Sequence, residues 1–70
     1  MKISARNVLK GKVKRVEIGP ISSVVTLEMA PGIEITASIT SESARDLKLK
    51  KGKEACAIIK ASNVMVGVDE

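Results

Sequence analysis

Phenylalanine, tyrosine and tryptophan are all missing from this chain of 70 residues. A core must therefore be assembled from Val, Ile, Leu, Met and Ala, without the side chains that usually give the largest single burials. Histidine is absent too, and with it the commonest general base. A single cysteine, Cys56, excludes an intrachain disulfide, and the lack of a Cys/His cluster excludes a structural zinc site. No Gly-x-x-x-x-Gly-Lys-Ser/Thr loop occurs, which excludes a P-loop NTPase. No apolar run reaches the length of a membrane span, and no signal-like apolar stretch opens the sequence. A free thiol without a targeting segment fits the cytoplasm. No catalytic residue is expected, and no metal held directly by side chains.

What is present is small and basic. Seventy residues make a single domain, 1–70, in the size range where folding buries only about 60% of the unfolded chain's surface. A small core with no disulfide or metal staple has one common remedy, the burial of further surface against copies of itself, so an oligomer is expected. Twelve Lys and Arg against eight Asp and Glu leave a net charge of +4. That balance favours anionic partners without naming one.

Short apolar-patterned runs alternate with turn signals along the chain, the mark of an all-β fold. The pattern predicts a long first strand over residues 2–16, in which Ile3, Ala5, Leu9 and Val13 share the inward parity. Val16 and Ile18 take the opposite parity, so a β-bulge is expected near Lys14 and Arg15. A second strand is predicted over 21–29, then a Pro31-Gly32 turn, and a cleanly alternating third strand over 33–40. Ser41 suits the cap of a one- or two-turn helix over 41–47, with Glu42 at its positive end. A fourth strand over 54–60, apolar on both faces, is expected to be buried on both sides. A fifth over 64–68 closes the fold, and Asp69 and Glu70 are expected to fray. The fold class is all-β, a small five-stranded OB-like β-barrel with one short helix.

Two polar elements stand out. In a strand, Ser4 and Arg6 point the same way, which places a hydroxyl and a guanidinium beside backbone N–H groups with no carboxylate near. Such an edge suits an anion, although the outer face of an ordinary amphipathic strand has the same pattern. The second element is Lys60-Ala61-Ser62-Asn63, where a lysine ends an apolar strand and a hydroxyl follows two residues later. Together they offer two positive charges, two hydroxyls and several backbone donors, a neutralising shell for a dianion. Lys10, Lys12, Lys14 and Arg15 form a basic cluster. Single-strand binders of the OB type stack bases on aromatic side chains, and this chain has none. Solvated strand positions are the better reading of that cluster. Cys56, mid-strand among Ala and Ile, reads as a buried, inert thiol.

The run Ile3-Ser-Ala-Arg-Asn-x-Leu-x-Gly-x-Val13, together with Ile59-Lys-Ala-Ser-x-Val-Met65, closely resembles the molbindins. These are small cytoplasmic molybdate-binding (Mop) proteins, related to the transport-associated OB (TOBE) domains of molybdate transporter ATPases and molybdate-sensing regulators. The resemblance extends through residues 32–41 and 47–53. It implies intracellular binding, storage or buffering of molybdate or tungstate, with no organic cofactor. It also implies a homo-oligomer, a hexamer built as a trimer of dimers, with the oxyanion held between subunits. Carried onto this sequence, the oxyanion would meet Ser4, the Ala5 backbone, Arg6, Lys60, the Ala61 backbone and Ser62. Many relatives have serine where this chain has Ala61, so one hydroxyl is lost but not the main-chain donor. The alternatives are a molybdate-sensing regulatory module in the same fold, and a nucleic-acid-binding OB module from a different class.

Overall fold

Period-two alternation builds four antiparallel strands: β1 (Asn7–Ile18), β2 (Ser22–Ala30), β3 (Ile33–Thr40) and β4 (Glu54–Ile59). A six-residue helix, α1 (Ser41–Asp46), follows β3, and a 3-10 turn, Ala61–Asn63, follows β4. The computed structural model describes residues 1–69. Glu70 lies outside them, together with its expected fraying. The strands form one sheet in the order β3-β2-β1-β4.

The long β1 serves two neighbours in succession. Its first half pairs with β4, from Asn7↔Ile59 to Lys12↔Glu54. Its second half pairs with β2, from Lys12↔Glu28 to Ile18↔Ser23. Between Val13↔Leu27 and Arg15↔Thr26 the register shifts by one residue, so Lys14 is the extra residue of a bulge, where the sequence placed one. Because of that slip, odd-numbered Val13 and even-numbered Val16 both turn to the core. The bulge increases local twist and curls the sheet into a half-barrel. The turn before β4 braces it: Val13 N–H donates to Lys53 O (2.9 Å), and Val13 O accepts from Gly52 N–H (2.8 Å). Outside the bulge, the Lys14 ammonium pairs with Glu34 on β3. That contact, with a further contribution from Arg15, holds the Glu34 carboxyl below the usual glutamate range.

Val13, Val25, Leu27 and Ala57 form the buried centre, with Met29, Ile35, Ile39 and Leu49 packed around it. Met29 fits because β1 has a glycine opposite it. A Cβ on Gly11 would lie 2.6 Å from Glu28 O and 2.7 Å from Met29 Cε, and the carbonyl belongs to the neighbouring strand's backbone. Gly11→Val is therefore expected to lower unfolding free energy by about 1–3 kcal/mol through overpacking. A urea titration with an unchanged midpoint would contradict that close approach.

The β2–β3 connection is a two-residue loop closed by the Ala30↔Ile33 pair. Pro31 presets its own φ, and Gly32 takes φ +79°, a value that favours glycine. The helix cap differs from expectation. Thr40, not Ser41, caps α1, its Oγ1 accepting from Ser43 N–H at 3.1 Å. Ser41 is 1% exposed; its hydroxyl donates to Gly19 O (2.6 Å) and shares a 2.7 Å hydrogen bond with Ser23 Oγ. It therefore ties the β1–β2 connection to the start of the helix. At the other end Leu49 N–H bonds Ala44 O and Lys48 N–H bonds Arg45 O, with Lys48 at φ 53°. This is a Schellman closure made without glycine.

Three further expectations are corrected. The described residues form four strands rather than five: residues 64–68 join no ladder, and Met65 and Val66 are 94% and 91% exposed. The first strand starts at Asn7 rather than at residue 2, because β4 ends at Ile59 and the chain turns away, leaving residues 2–6 nothing to pair with. With that pairing absent, Ile3 is exposed; Leu9 is exposed too although it pairs with Ala57, whereas Val13 of the same parity is buried. Finally, β4 is an edge strand. Ala57 is buried, but Ile58 on the opposite face is 49% exposed.

Candidate oxyanion site

The two polar motifs leave the same end of one ladder. The last β1–β4 rung is Asn7↔Ile59, so Arg6 and Lys60 are the next residues on either arm. Beyond that rung the arms diverge: residues 4–6 join no ladder, and Ala61–Asn63 turn into a 3-10 helix. Ser4, Arg6, Lys60, Ala61 and Ser62 are all exposed, and Ala5 is half-buried. The two motifs thus stand open to solvent.

Local structure sets what each arm offers. Lys60 is extended (φ −63°, ψ 136°) and leads into the 3-10 turn. Asn63 N–H bonds Lys60 O at 2.9 Å, and Val64 N–H bonds Ala61 O at 3.2 Å. Such a turn uses the carbonyls of its first residues and leaves their N–H groups without partners inside it. The Ala61 and Ser62 amides are those groups, next to the Lys60 ammonium and the Ser62 hydroxyl. On the other arm, Ser4 and Arg6 lie in irregular backbone, which sheet pairing does not occupy.

The charge around this end has one sign. No Asp or Glu occurs in residues 1–16 or 55–68, and neither Arg6 nor Lys60 is ion-paired among the described residues. The rest of the basic surface is different. Lys14 is held by Glu34, and Arg15 Nε lies 3.7 Å from Glu17. Lys12 sits in register between Glu28 on β2 and Glu54 on β4, and directly opposed residues share a face. The basic cluster of β1 is therefore interleaved with carboxylates. Two concavities exist elsewhere: a cleft of about 600 Å³ over Lys10, Lys12 and Glu28, and an apolar groove of about 350 Å³ over Leu27, Ile39 and Ile58. Neither includes a residue of the two motifs. Cys56 is a free, half-buried thiol. Among the described residues no cluster of His, Cys, Asp and Glu suits a metal ion, and no helix is long and apolar enough to cross a membrane.

Sequence reasoning did not foresee one contact. Asn7 Nδ2 donates to Ile59 O at 3.1 Å, bridging positions 52 residues apart. An asparagine in a strand that favours β-branched residues was the available signal.

The TOBE domain model matches residues 3–66. The chain belongs to the TOBE domain family. Within that family it is 46% identical over 69 residues to the probable molybdenum-pterin-binding protein of Haemophilus influenzae, covering 99% of this chain and 100% of that one. Among solved structures, a molybdate-binding protein from Sporomusa ovata superposes with a TM-score of 0.90 at 35% identity, covering 97% of this chain and 100% of that one. The cytoplasmic molybdate-binding protein ModG, in a form with molybdate bound, gives 0.92 at 48% identity; 99% of this chain matches 49% of that one. The likeness read along the sequence, from the two motifs through residues 32–41 and 47–53, is thus borne out over residues 3–66 of this TOBE chain.

Proposed function

We propose that this TOBE chain is a non-catalytic cytoplasmic binder of molybdate, or tungstate, that stores or buffers the anion between subunits of an oligomer. The observation that carries the reading is the pair of donor arms leaving one end of the β1–β4 ladder, each with a cation and a hydroxyl and neither with a carboxylate. The names of the relatives agree with it. Some of those names include a pterin; this chain has no aromatic residue to stack on a pterin ring. The inorganic anion alone is the ligand, bound by Ser4, Arg6, Lys60 and Ser62 with the Ala5 and Ala61 backbones.

Assembly is supported by what one copy leaves uncovered. Ile3, Leu9, Ile21, Ile33, Met65 and Val66 are large apolar side chains exposed to water. Both β3 and β4 are edge strands, and residues 64–68 have the composition of a strand without a neighbour. A second copy would cover these surfaces and face the two arms; the family resemblance favours a hexamer. Sedimentation at micromolar concentration is expected to show an oligomer, and a stable folded monomer would remove any site shared between subunits. For the ligand, molybdate is expected to co-elute with the protein through gel filtration without any pterin. Salt-sensitive binding of an oligonucleotide, with no retained molybdate, would favour the nucleic-acid alternative instead.

A further inference from the structure

We propose that Asn7 is a positioning residue of this shell, whose side-chain amide fixes the spacing of the arms that carry Arg6 and Lys60. The inference rests on the oxyanion reading above. The regular ladder ends at Asn7↔Ile59, and there the Asn7 Nδ2 donates to Ile59 O at 3.1 Å in a partly buried position. The acceptor is a carbonyl, so only the amide nitrogen can face it, and the orientation of the group is settled by chemistry. One peptide beyond this bond lies Arg6 on one arm and Lys60 on the other. Paired Cα atoms in an antiparallel ladder are about 4.5–5.5 Å apart, and one cationic residue follows the last rung on each arm. When no anion is bound, the two repel each other and bias the arms to splay. Asparagine is a poor strand former, yet at this position it supplies what Val or Ile cannot, a cross-strand tie at the point of divergence. The tie costs the shell nothing, because it uses a carbonyl that an anion cannot use.

Positioning has a signature that simple stabilisation lacks. Asn7→Ala is expected to weaken molybdate binding roughly tenfold, the size of effect seen when groups that orient ligands are removed, in calorimetry on the assembled protein. In an Arg6→Ala background the same substitution should cost less than about twofold, because only one cationic arm is left to place. A merely structural role would cost the same factor in both backgrounds, and that result overturns the proposal. Asn7→Leu, near-isosteric and a better strand former, removes the donor while favouring the strand. It is expected to show the same loss with unchanged sedimentation, whereas wild-type affinity in a folded Asn7→Leu protein would also overturn the proposal. If Arg6→Ala alone leaves affinity unchanged, the oxyanion reading itself fails and the positioning role goes with it. If Arg6→Ala weakens binding but neither Asn7 variant does, only the positioning role is lost.

Discussion

Replacing Arg6 or Lys60 with alanine is expected to weaken molybdate binding at least tenfold. A hydrogen bond to a charged group contributes about 1.5–3 kcal/mol, and about 1.4 kcal/mol is a factor of ten in affinity. Each arm carries one such cation, and no acidic side chain lies in either motif to take over charge balance. The control is a cation removed from elsewhere. Lys51 lies in the turn between α1 and β4, so Lys51→Ala makes the same change in net charge at a position where salt screens it. It is expected to alter affinity by less than about twofold. Calorimetry on the three variants separates a built site from a general attraction of a basic protein for a dianion. Equal small losses in all three, or no loss in Arg6→Ala and Lys60→Ala, would withdraw the site assignment.

The elements that were legible in the sequence are those that find a partner strand in the sheet. β3 alternates Ile33, Ile35, Ala37 and Ile39 with polar residues, and its bounds match because β2 pairs with it along its whole length. The bulge was legible because a parity slip between Val13 and Val16 has no other economical cause in a strand with one buried face. The helix cap was displaced by one residue. Thr40 and Ser41 both have hydroxyls, and only the buried bond from Ser41 to Gly19 O decides which of them is occupied elsewhere. Residues 2–6 and 64–68 have strand-like patterns but form no ladder in one copy. Periodicity reports which face suits burial, not whether a neighbouring strand is there to cover it. The candidate site was legible as two motifs. That they leave one ladder end together depends on the β1–β4 register, which a sequence does not display.

Phosphate is expected to compete for the site about fivefold to a hundredfold more weakly than tungstate does. Molybdate, tungstate and sulfate are fully deprotonated near neutral pH, so all four oxygens of each accept hydrogen bonds. Inorganic phosphate there still carries a proton, which needs an acceptor. The carboxylate of Glu54 is at the far end of the ladder, paired with Lys12, about 20 Å of strand from Arg6 at ~3.3 Å per residue. A serine hydroxyl can accept only by turning its own proton from the anion, which forfeits a donor. Asn7 has committed its amide nitrogen to Ile59 O, leaving its oxygen, with that of Asn63, as the side-chain amide acceptors of the two motifs. Unless one of them or a free backbone carbonyl of the arms faces the anion, the phosphate proton is buried unsatisfied, at about 1–3 kcal/mol. Sulfate must be rejected by other means, since it offers the same lone pairs on shorter bonds. A shell held rigid at the spacing of the larger anion leaves its donors beyond good hydrogen-bond range. Loosening the shell at Asn7 should therefore narrow the gap between molybdate and sulfate while leaving the rejection of phosphate in place. Competition dialysis against labelled molybdate measures all of this. Phosphate displacing molybdate as well as tungstate does would show that an acceptor lines the site and that the donor-only shell is wrong.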